Sequence, residues 1–240
     1  MNNTAEGQPK QSESTNRGVV RWLAKETMGV LMLPLLLFLS AGTLAWPMAW
    51  ALCALTAGWV AATAAVVIPR HPELLAERVG PKRGGKRWDT VILSCMGLVS
   101  LVGYVVAGLE VRSQGTTGIS LPLQIGALVV VAFGYALLVW ATGTNAFFAL
   151  TVRIQTERGH TVATQGPYRF VRHPGYVGGV LLNLATPVML GSWWALIPFW
   201  LVVSLTVLRT ALEDRSLKAE LAGYVDYAST VRYRLLPGVW

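Results

Sequence analysis

The sequence predicts an all-α, polytopic transmembrane helical bundle of about six spans, followed by a cytoplasmic C-terminal segment. Only 13% of the 240 residues are charged, about half of what a water-exposed surface usually carries. Apolar runs of about 20 residues, the length that crosses a bilayer as a helix, recur along the chain. Ten Trp and seven Tyr suit a protein that is anchored at membrane interfaces.

The first 27 residues are expected to form a cytoplasmic tail. Residues 1–18 are polar without apolar periodicity, which predicts disorder. Residues 19–27 are expected to form a short interfacial helix, with Trp22 and Leu23 against lipid. The apolar stretch that follows is too long for the core of a signal peptide and runs into a second span, which favours a retained helix.

Four accessory spans are predicted within residues 28–141, namely Met28–Trp46, Met48–Ile68, Thr90–Leu109 and Leu121–Ala141. A break is expected at Trp46-Pro47, because proline cannot continue the first helix. Cys53 and Cys95 fall inside these runs and are expected to be buried as small hydrophobic side chains. Nothing in their spacing indicates a disulfide or a metal site.

A short helical hairpin is predicted next, formed by Gly175–Leu190 and Trp193–Leu208. Pro187 should kink or tilt the first helix, and Gly191-Ser192 supplies the turn. With six spans and the N-terminus inside, Arg112 is the only Lys or Arg left on the outer side. The positive-inside rule therefore predicts that both termini are cytoplasmic. If the protein is bacterial, the membrane is expected to be the inner membrane.

Polar residues concentrate before and after this hairpin, in Thr142–Pro174 and Arg209–Trp240. These segments should meet at its cytoplasmic end. Arg172 and His173 precede Pro174 at a predicted helix N-terminus, which is a natural anion site. The alternative is that Arg169 and Arg172 only face lipid headgroups.

Arg209 and Glu213 are four residues apart and share one helix face. They would either pair with each other or bind a ligand that carries both charges.

Several function classes are disfavoured by the sequence. The net charge is +8. The Lys and Arg residues do not line one face together with aromatic residues, which argues against nucleic-acid binding. No dinucleotide-binding glycine motif after a strand, P-loop, nucleophile elbow or HExxH metal helix is present. A second Arg-His-Pro triplet, at Arg70-His71-Pro72, makes the triplet alone unspecific, and His71 is interpreted as a loop residue near the headgroups.

Four motifs occur in order after the fourth span: GPYRFVRHPGYVGG, RTALEDRSL, GYVDY and VRYRLLPGVW. Together they resemble the isoprenylcysteine carboxyl methyltransferase family, which is related to phospholipid N-methyltransferases. The resemblance covers residues 145–240, so residues 142–240 are expected to form a methyltransferase core. The preceding part resembles accessory spans of bacterial members, including a PELLAER loop at Pro72–Arg78 to which no chemistry is assigned.

The resemblance implies S-adenosylmethionine as the cofactor and no metal. By position, it implies these cofactor-binding residues: Gln155, His160, Thr161, Val162, Ala163, Tyr168, His173, Pro174, Gly175, Tyr176 and Glu213. Arg209 matches the arginine that faces the methyl acceptor. The family's second glutamate is Asp214 here, which keeps the charge.

The acceptor is expected to be lipophilic and to enter from the bilayer. A carboxylate is already anionic and needs no general base, which favours carboxyl O-methylation of an isoprenylcysteine-type substrate over methylation of an amine. Two alternatives remain open. One is an NADPH-dependent sterol-type reductase, which shares Arg-His-Pro-x-Tyr but typically has Asn where this chain has Gly175. The other is a non-enzymatic lipid-binding membrane protein. The sequence makes no prediction about oligomeric state.

Overall fold

A computed structural model describes residues 7–79, 84–114 and 118–240, with side chains from residue 13 onward. These residues form helices and no strands: α1 (Gly7–Ala41), α2 (Pro47–Val67), α3 (Pro72–Val79), α4 (Arg87–Gln114), α5 (Leu121–Thr144), α6 (Pro174–Met189), α7 (Leu196–Glu220) and α8 (Tyr224–Thr230). The predicted all-α transmembrane bundle is confirmed.

Five of these helices, α1, α2, α4, α5 and α7, are long and apolar enough to cross a membrane. Helix α6 has 16 residues and is therefore about 24 Å long at the rise of an α-helix. It packs against α7 as the predicted hairpin. The expectation that α6 crosses the whole bilayer, which would make six spans, stays a prediction.

Proline sets the start of three helices. Pro47, Pro72 and Pro174 are the first residues of α2, α3 and α6. An N–H group at this position has no partner within the helix, so its absence in proline costs no hydrogen bond. Both Arg-His-Pro triplets therefore lead into a helix. This common geometry explains why the triplet by itself does not identify a site.

The N-terminal part differs from the prediction. Helix α1 is continuous from Gly7, so residues 7–27 form neither a disordered tail nor a separate interfacial helix; residues 1–6 lie outside the described part. Trp22 is 1% exposed and packs with Leu74 and Leu75 rather than against lipid. Those leucines belong to α3, the segment that was expected to be a loop. The two helices stabilise each other because each buries the apolar face of the other.

Helices α1, α2, α5, α6, α7 and α4 follow one another around a closed ring of neighbours. All six contribute to one apolar core at the end where α1 terminates and α2 begins, with Leu37, Leu52 and Phe199 among its fully buried residues. Cys53 belongs to this core, but Cys95 is exposed, contrary to the prediction for it. One end of the ring, called the solid end below, is therefore filled by apolar side chains. The opposite end is where the ring can enclose a site.

The α6–α7 turn is anchored to the solid end by a buried carboxylate. Glu110 of α4 accepts hydrogen bonds from the Ser192 hydroxyl at 2.5 Å and from the backbone N–H of Trp194 at 3.1 Å. The indole N–H of Trp46 donates to the carbonyl of Leu190 at 3.2 Å. These contacts fix the hairpin at one end and thereby orient the other end, which carries the polar residues.

Glycine permits the close packing of α5 on α6. A Cβ atom at Gly178 would lie 2.7 Å from the carbonyl oxygen of Gly134, and one at Gly134 would lie 3.0 Å from that of Gly178. Small residues at such crossings let two membrane helices approach to backbone contact.

We expect Gly178→Val to lower the thermal unfolding midpoint in detergent, because the new side chain would meet a backbone carbonyl that cannot move aside. Overpacking of this kind costs about 1–3 kcal/mol. Gly126→Val on the same helix pair is the matched control, since a Cβ there meets nothing within 4 Å. Equal midpoints for the two variants would contradict the packing argument.

Candidate functional site

The open end of the ring encloses a cavity of about 330 Å³. Its wall is built from the inner faces of the ring helices, from α3, and from residues 147–153 and 160–163. Ten of the twelve residues assigned to the site line it: His160, Thr161, Val162, Ala163, Tyr168, His173, Gly175, Tyr176, Arg209 and Glu213. Residues distant in sequence are thus brought into one space.

Gln155 and Pro174 do not line the cavity. The amide of Gln155 is fully buried; it donates to the carbonyl of Phe147 at 3.0 Å and accepts from Arg158 at 2.5 Å. Pro174 begins α6. Their assignment as cofactor-binding residues stays a prediction.

His160 is held in a defined orientation at the cavity wall. Its ring stacks on Phe147 with centroids 4.5 Å apart, and its Nδ1 accepts a hydrogen bond from the backbone N–H of Gln155 at 3.3 Å. Burial, and then the charges of Arg158 and Arg153, lower the pKa of His160. The neutral ring is therefore favoured, as an accepting Nδ1 requires.

Tyr176 lies between the two charged residues that were predicted to share a helix face. Its hydroxyl donates to Oε2 of Glu213, and the guanidinium of Arg209 lies 5.1 Å from its ring centroid. A direct Arg209–Glu213 pair is not formed. Among the described residues, no cation lies within ion-pair distance of Glu213, so its negative charge remains available in the cavity wall.

Arg209 pairs instead with Asp89, the residue before the predicted third span. Its Nε donates to Asp89 Oδ1 at 2.6 Å and its Nη2 to Oδ2 at 3.3 Å. Nη2 also donates to the carbonyl of Leu150 at 2.8 Å. In the described part of the chain, Nη1 makes no hydrogen bond. Nε and Nη2 of the guanidinium are thus occupied, and one nitrogen is left for a ligand.

Asp89 also fixes residues 147–153, which line the cavity. It is fully buried, and its Oδ2 accepts from the backbone N–H of Val152 at 2.8 Å. Sequence reasoning missed it as a site residue. The available signal was a single carboxylate next to an apolar run, which is unfavourable in a membrane protein unless it is paired.

A second buried carboxylate, Asp214, ties the C-terminal segment to the start of α6. Arg172 donates to it through Nε at 2.7 Å, and Arg234 donates through Nε at 2.9 Å. Nη1 of Arg172 donates to the carbonyls of Val231 and Arg232. Arg172 is thereby fully engaged, which removes it from the predicted anion site.

The same cluster orients His173. The hydroxyl of Tyr224 lies 3.0 Å from Asp214 Oδ1 and 3.3 Å from Nε2 of His173. Burial, and then the adjacent carboxylate, raise the pKa of Tyr224, which therefore stays protonated and donates to Asp214.

Helix α3 joins the accessory part to the cavity wall by ion pairs. Glu77 lies 2.8 Å from Arg153, and Glu73 lies 3.4 Å from Arg158. Both arginines flank the segment that leads to His160. The position of that segment therefore depends on a helix far from it in sequence.

Replacing Asp89 by Asn should lower the free energy of unfolding by about 3–5 kcal/mol, because it leaves a buried guanidinium without its counter-ion. Thermal and denaturant unfolding in detergent would measure the loss. Glu220→Gln, which breaks the exposed pair of Lys86 and Glu220 at 2.5 Å, is the control and should cost at most about 1 kcal/mol. Similar small losses in both variants would show that the buried pair does not hold the helices together.

Residues 127–219 match the sequence model of the isoprenylcysteine carboxyl methyltransferase (ICMT) family. The chain is 34% identical over 86 residues to protein-S-isoprenylcysteine O-methyltransferase B of Arabidopsis thaliana, a match that covers 35% of this chain and 44% of the relative. It is 39% identical over 56 residues to probable protein-S-isoprenylcysteine O-methyltransferases of Oryza sativa subsp. indica and japonica, covering 23% of this chain and 29% of each relative. Each match thus spans less than half of the relative's length.

Proposed function

Residues 127–219 belong to the isoprenylcysteine carboxyl methyltransferase family, and from this premise we propose that the protein is an integral membrane methyltransferase that uses S-adenosylmethionine. Its acceptor is a lipophilic carboxylate of the isoprenylcysteine type. The observation that carries the proposal is that one cavity holds the Glu213 carboxylate, which has no ion-pair partner among the described residues, and Nη1 of Arg209, which makes no hydrogen bond to them. These groups suit the two charges that methyl transfer to a carboxylate brings together.

The size of the cavity and the residues that line it fit the cofactor. A cavity of about 330 Å³ is at the lower end of the range of about 300–1,000 Å³ for small-molecule sites. Glu213 supplies a negative charge for the cationic ammonium or sulfonium, and Tyr168 adds an aromatic ring to the same cavity. The neutral His160 and the backbone of residues 160–163 supply hydrogen-bonding groups at the edge.

The acceptor enters along the inner part of the cavity. Met96 of α4, Gly179 of α6 and Thr206 of α7 line that part. Helices α4 and α6 both pack on α7, so a lipid-like tail in this part of the cavity would lie among these three helices. Its carboxylate would then lie at the end of the cavity where Arg209 and Glu213 meet.

S-adenosylmethionine supplies a methyl group that its sulfonium has already activated. The protein's residues have to align the acceptor oxygen and exclude water. Arg209 orients the carboxylate through Nη1 alone, since Asp89 neutralises its other edge. A weaker single contact leaves the acceptor oxygen more nucleophilic than a full bidentate clamp would. No general base is needed, because the attacking oxygen carries no proton.

This cavity end faces the cytoplasm in the proposed topology. The basic residues of the polar segments lie at this end of the helices, where the positive-inside rule puts them. The solid end of the ring, with Glu110 and the α6–α7 turn, then faces outward.

Calorimetric titration of the detergent-purified protein separates the roles of the two charged residues. Glu213→Gln should weaken binding of S-adenosylhomocysteine by about tenfold or more, because it removes a charge-assisted contact. Arg209→Lys, which keeps a cation next to Asp89 but removes Nη1, should change that affinity by less than about threefold. It should lower methylation of an S-prenylated cysteine by about 100-fold, as expected for a contact to the reacting group.

The carboxamide of the same S-prenylated cysteine is the control acceptor, since it has no anionic oxygen to methylate. Equal loss of cofactor binding in both variants would mean that the two residues act as a structural unit. Saturable binding of NADPH in place of the methyl donor would support a reductase. Binding of neither by the wild-type protein would leave a non-enzymatic lipid-binding role.

A further inference from the structure

Arg78 reaches the cavity from outside the family-matched region. It lies near the end of α3, in the PELLAER segment, and its side chain lines the same cavity as Tyr168 and Glu213. The family match begins only at residue 127. Whatever Arg78 contributes to the site is therefore supplied by the accessory part of this chain.

One edge of the Arg78 guanidinium is fixed by the protein and the other edge is free. Nε and Nη2 donate to the carbonyl of Phe148 at 3.3 and 3.2 Å, and Nη2 lies 3.4 Å from the hydroxyl of Thr142. The guanidinium also lies 5.4 Å from the ring centroid of Phe148. Within the described residues, Nη1 makes no hydrogen bond. Arg78 is thus held rigidly with one nitrogen unused.

Arg78 differs from the other arginines of the cavity in having no counter-ion. Arg153, Arg172 and Arg209 each pair with a carboxylate, at 2.8, 2.7 and 2.6 Å respectively. No carboxylate among the described residues lies within ion-pair distance of Arg78. Desolvation by burial, partly offset by the charge of Glu26, lowers the pKa of Arg78 to about 10, so it remains protonated at neutral pH. A desolvated cation without a partner is unfavourable, and an anionic ligand would relieve it.

The opposite charge, that of Glu213, lines the same cavity as Arg78 and Tyr168. Burial is the main cause of the raised pKa of the Tyr168 hydroxyl; the charge of Glu213 raises it further and that of Arg78 lowers it. Both charges therefore act on one hydroxyl group. Arg78 and Glu213 line one cavity, and neither has an ion-pair partner among the described residues. A cation and an anion in this arrangement match a zwitterion, whose carboxylate and ammonium are held on one carbon atom.

We propose that Arg78 binds the α-carboxylate of the methionine arm of S-adenosylmethionine while Glu213 binds its ammonium group. The assignment rests on the proposed function and extends it to a residue of the accessory helices. The acceptor carboxylate is the poorer candidate for Arg78, because Arg209 is already next to Tyr176 and Glu213. The cofactor carboxylate does not react, so a strong contact to it does not reduce any nucleophile.

The test is a thermodynamic cycle between Arg78 and the ligand carboxylate, measured by calorimetry on the full chain in detergent. The probes are S-adenosylhomocysteine and its carboxamide, which differ only in the negative charge. Wild-type protein should bind the acid about tenfold or more tightly than the amide, and Arg78→Gln should bind the two within about twofold. A preference that persists in Arg78→Gln would overturn the proposal, as would a wild-type protein without any preference.

Two further variants exclude a structural explanation. Arg78→Lys keeps the charge but not the planar guanidinium. Its preference for the acid over the amide should lie between those of the wild type and Arg78→Gln. A preference as small as that of Arg78→Gln would overturn a role for the charge. Glu26→Gln should leave the preference within about twofold of wild type, and its loss there would make Arg78 part of a pair with Glu26 instead. If the wild-type protein binds neither probe, the proposed function fails as well, a pattern distinct from failure of Arg78 alone.

Discussion

The ion pair between Arg209 and Asp89 is the interaction on which the candidate site depends. It joins α7 to the start of α4 in a place where both side chains are buried, and it extends to the backbone of Leu150 and Val152. Either partner alone would be a buried charge, which is strongly unfavourable. The pair therefore fixes the two helices and residues 147–153 relative to one another.

The bundle is divided between a solid half and a hollow half. In the solid half, apolar side chains from six helices meet around Leu37 and Phe199, and Glu110 fixes the hairpin turn. In the hollow half, polar groups replace that core, and two buried carboxylates, Asp89 and Asp214, hold the arginines around the cavity. The rigidity of the first half allows the second to remain open without collapsing.

Much of the fold could be predicted from the chain itself. The long apolar runs, the proline at the start of α2 and α6, and the hairpin with its Gly191-Ser192 turn follow from local rules on hydrophobicity and backbone geometry. The behaviour of residues 19–27 and 72–79 could not be predicted. Each segment is too short and too polar to indicate a packed helix alone, and each became one by burying Trp22 against Leu74 and Leu75.

The sequence by itself determined which residues are polar and where α2 and α6 begin, and ten of the twelve residues that the family motifs assign line one cavity. Tertiary structure alone decided how the charges pair. Arg209 took Asp89 as its partner, Arg172 took Asp214, and Glu213 and Arg78 were left without ion-pair partners among the described residues. Spacing along a helix shows which side chains share a face. Partners from other helices depend on how the bundle closes, and in a low-dielectric interior that closure determines which charges are neutralised and which remain for a ligand.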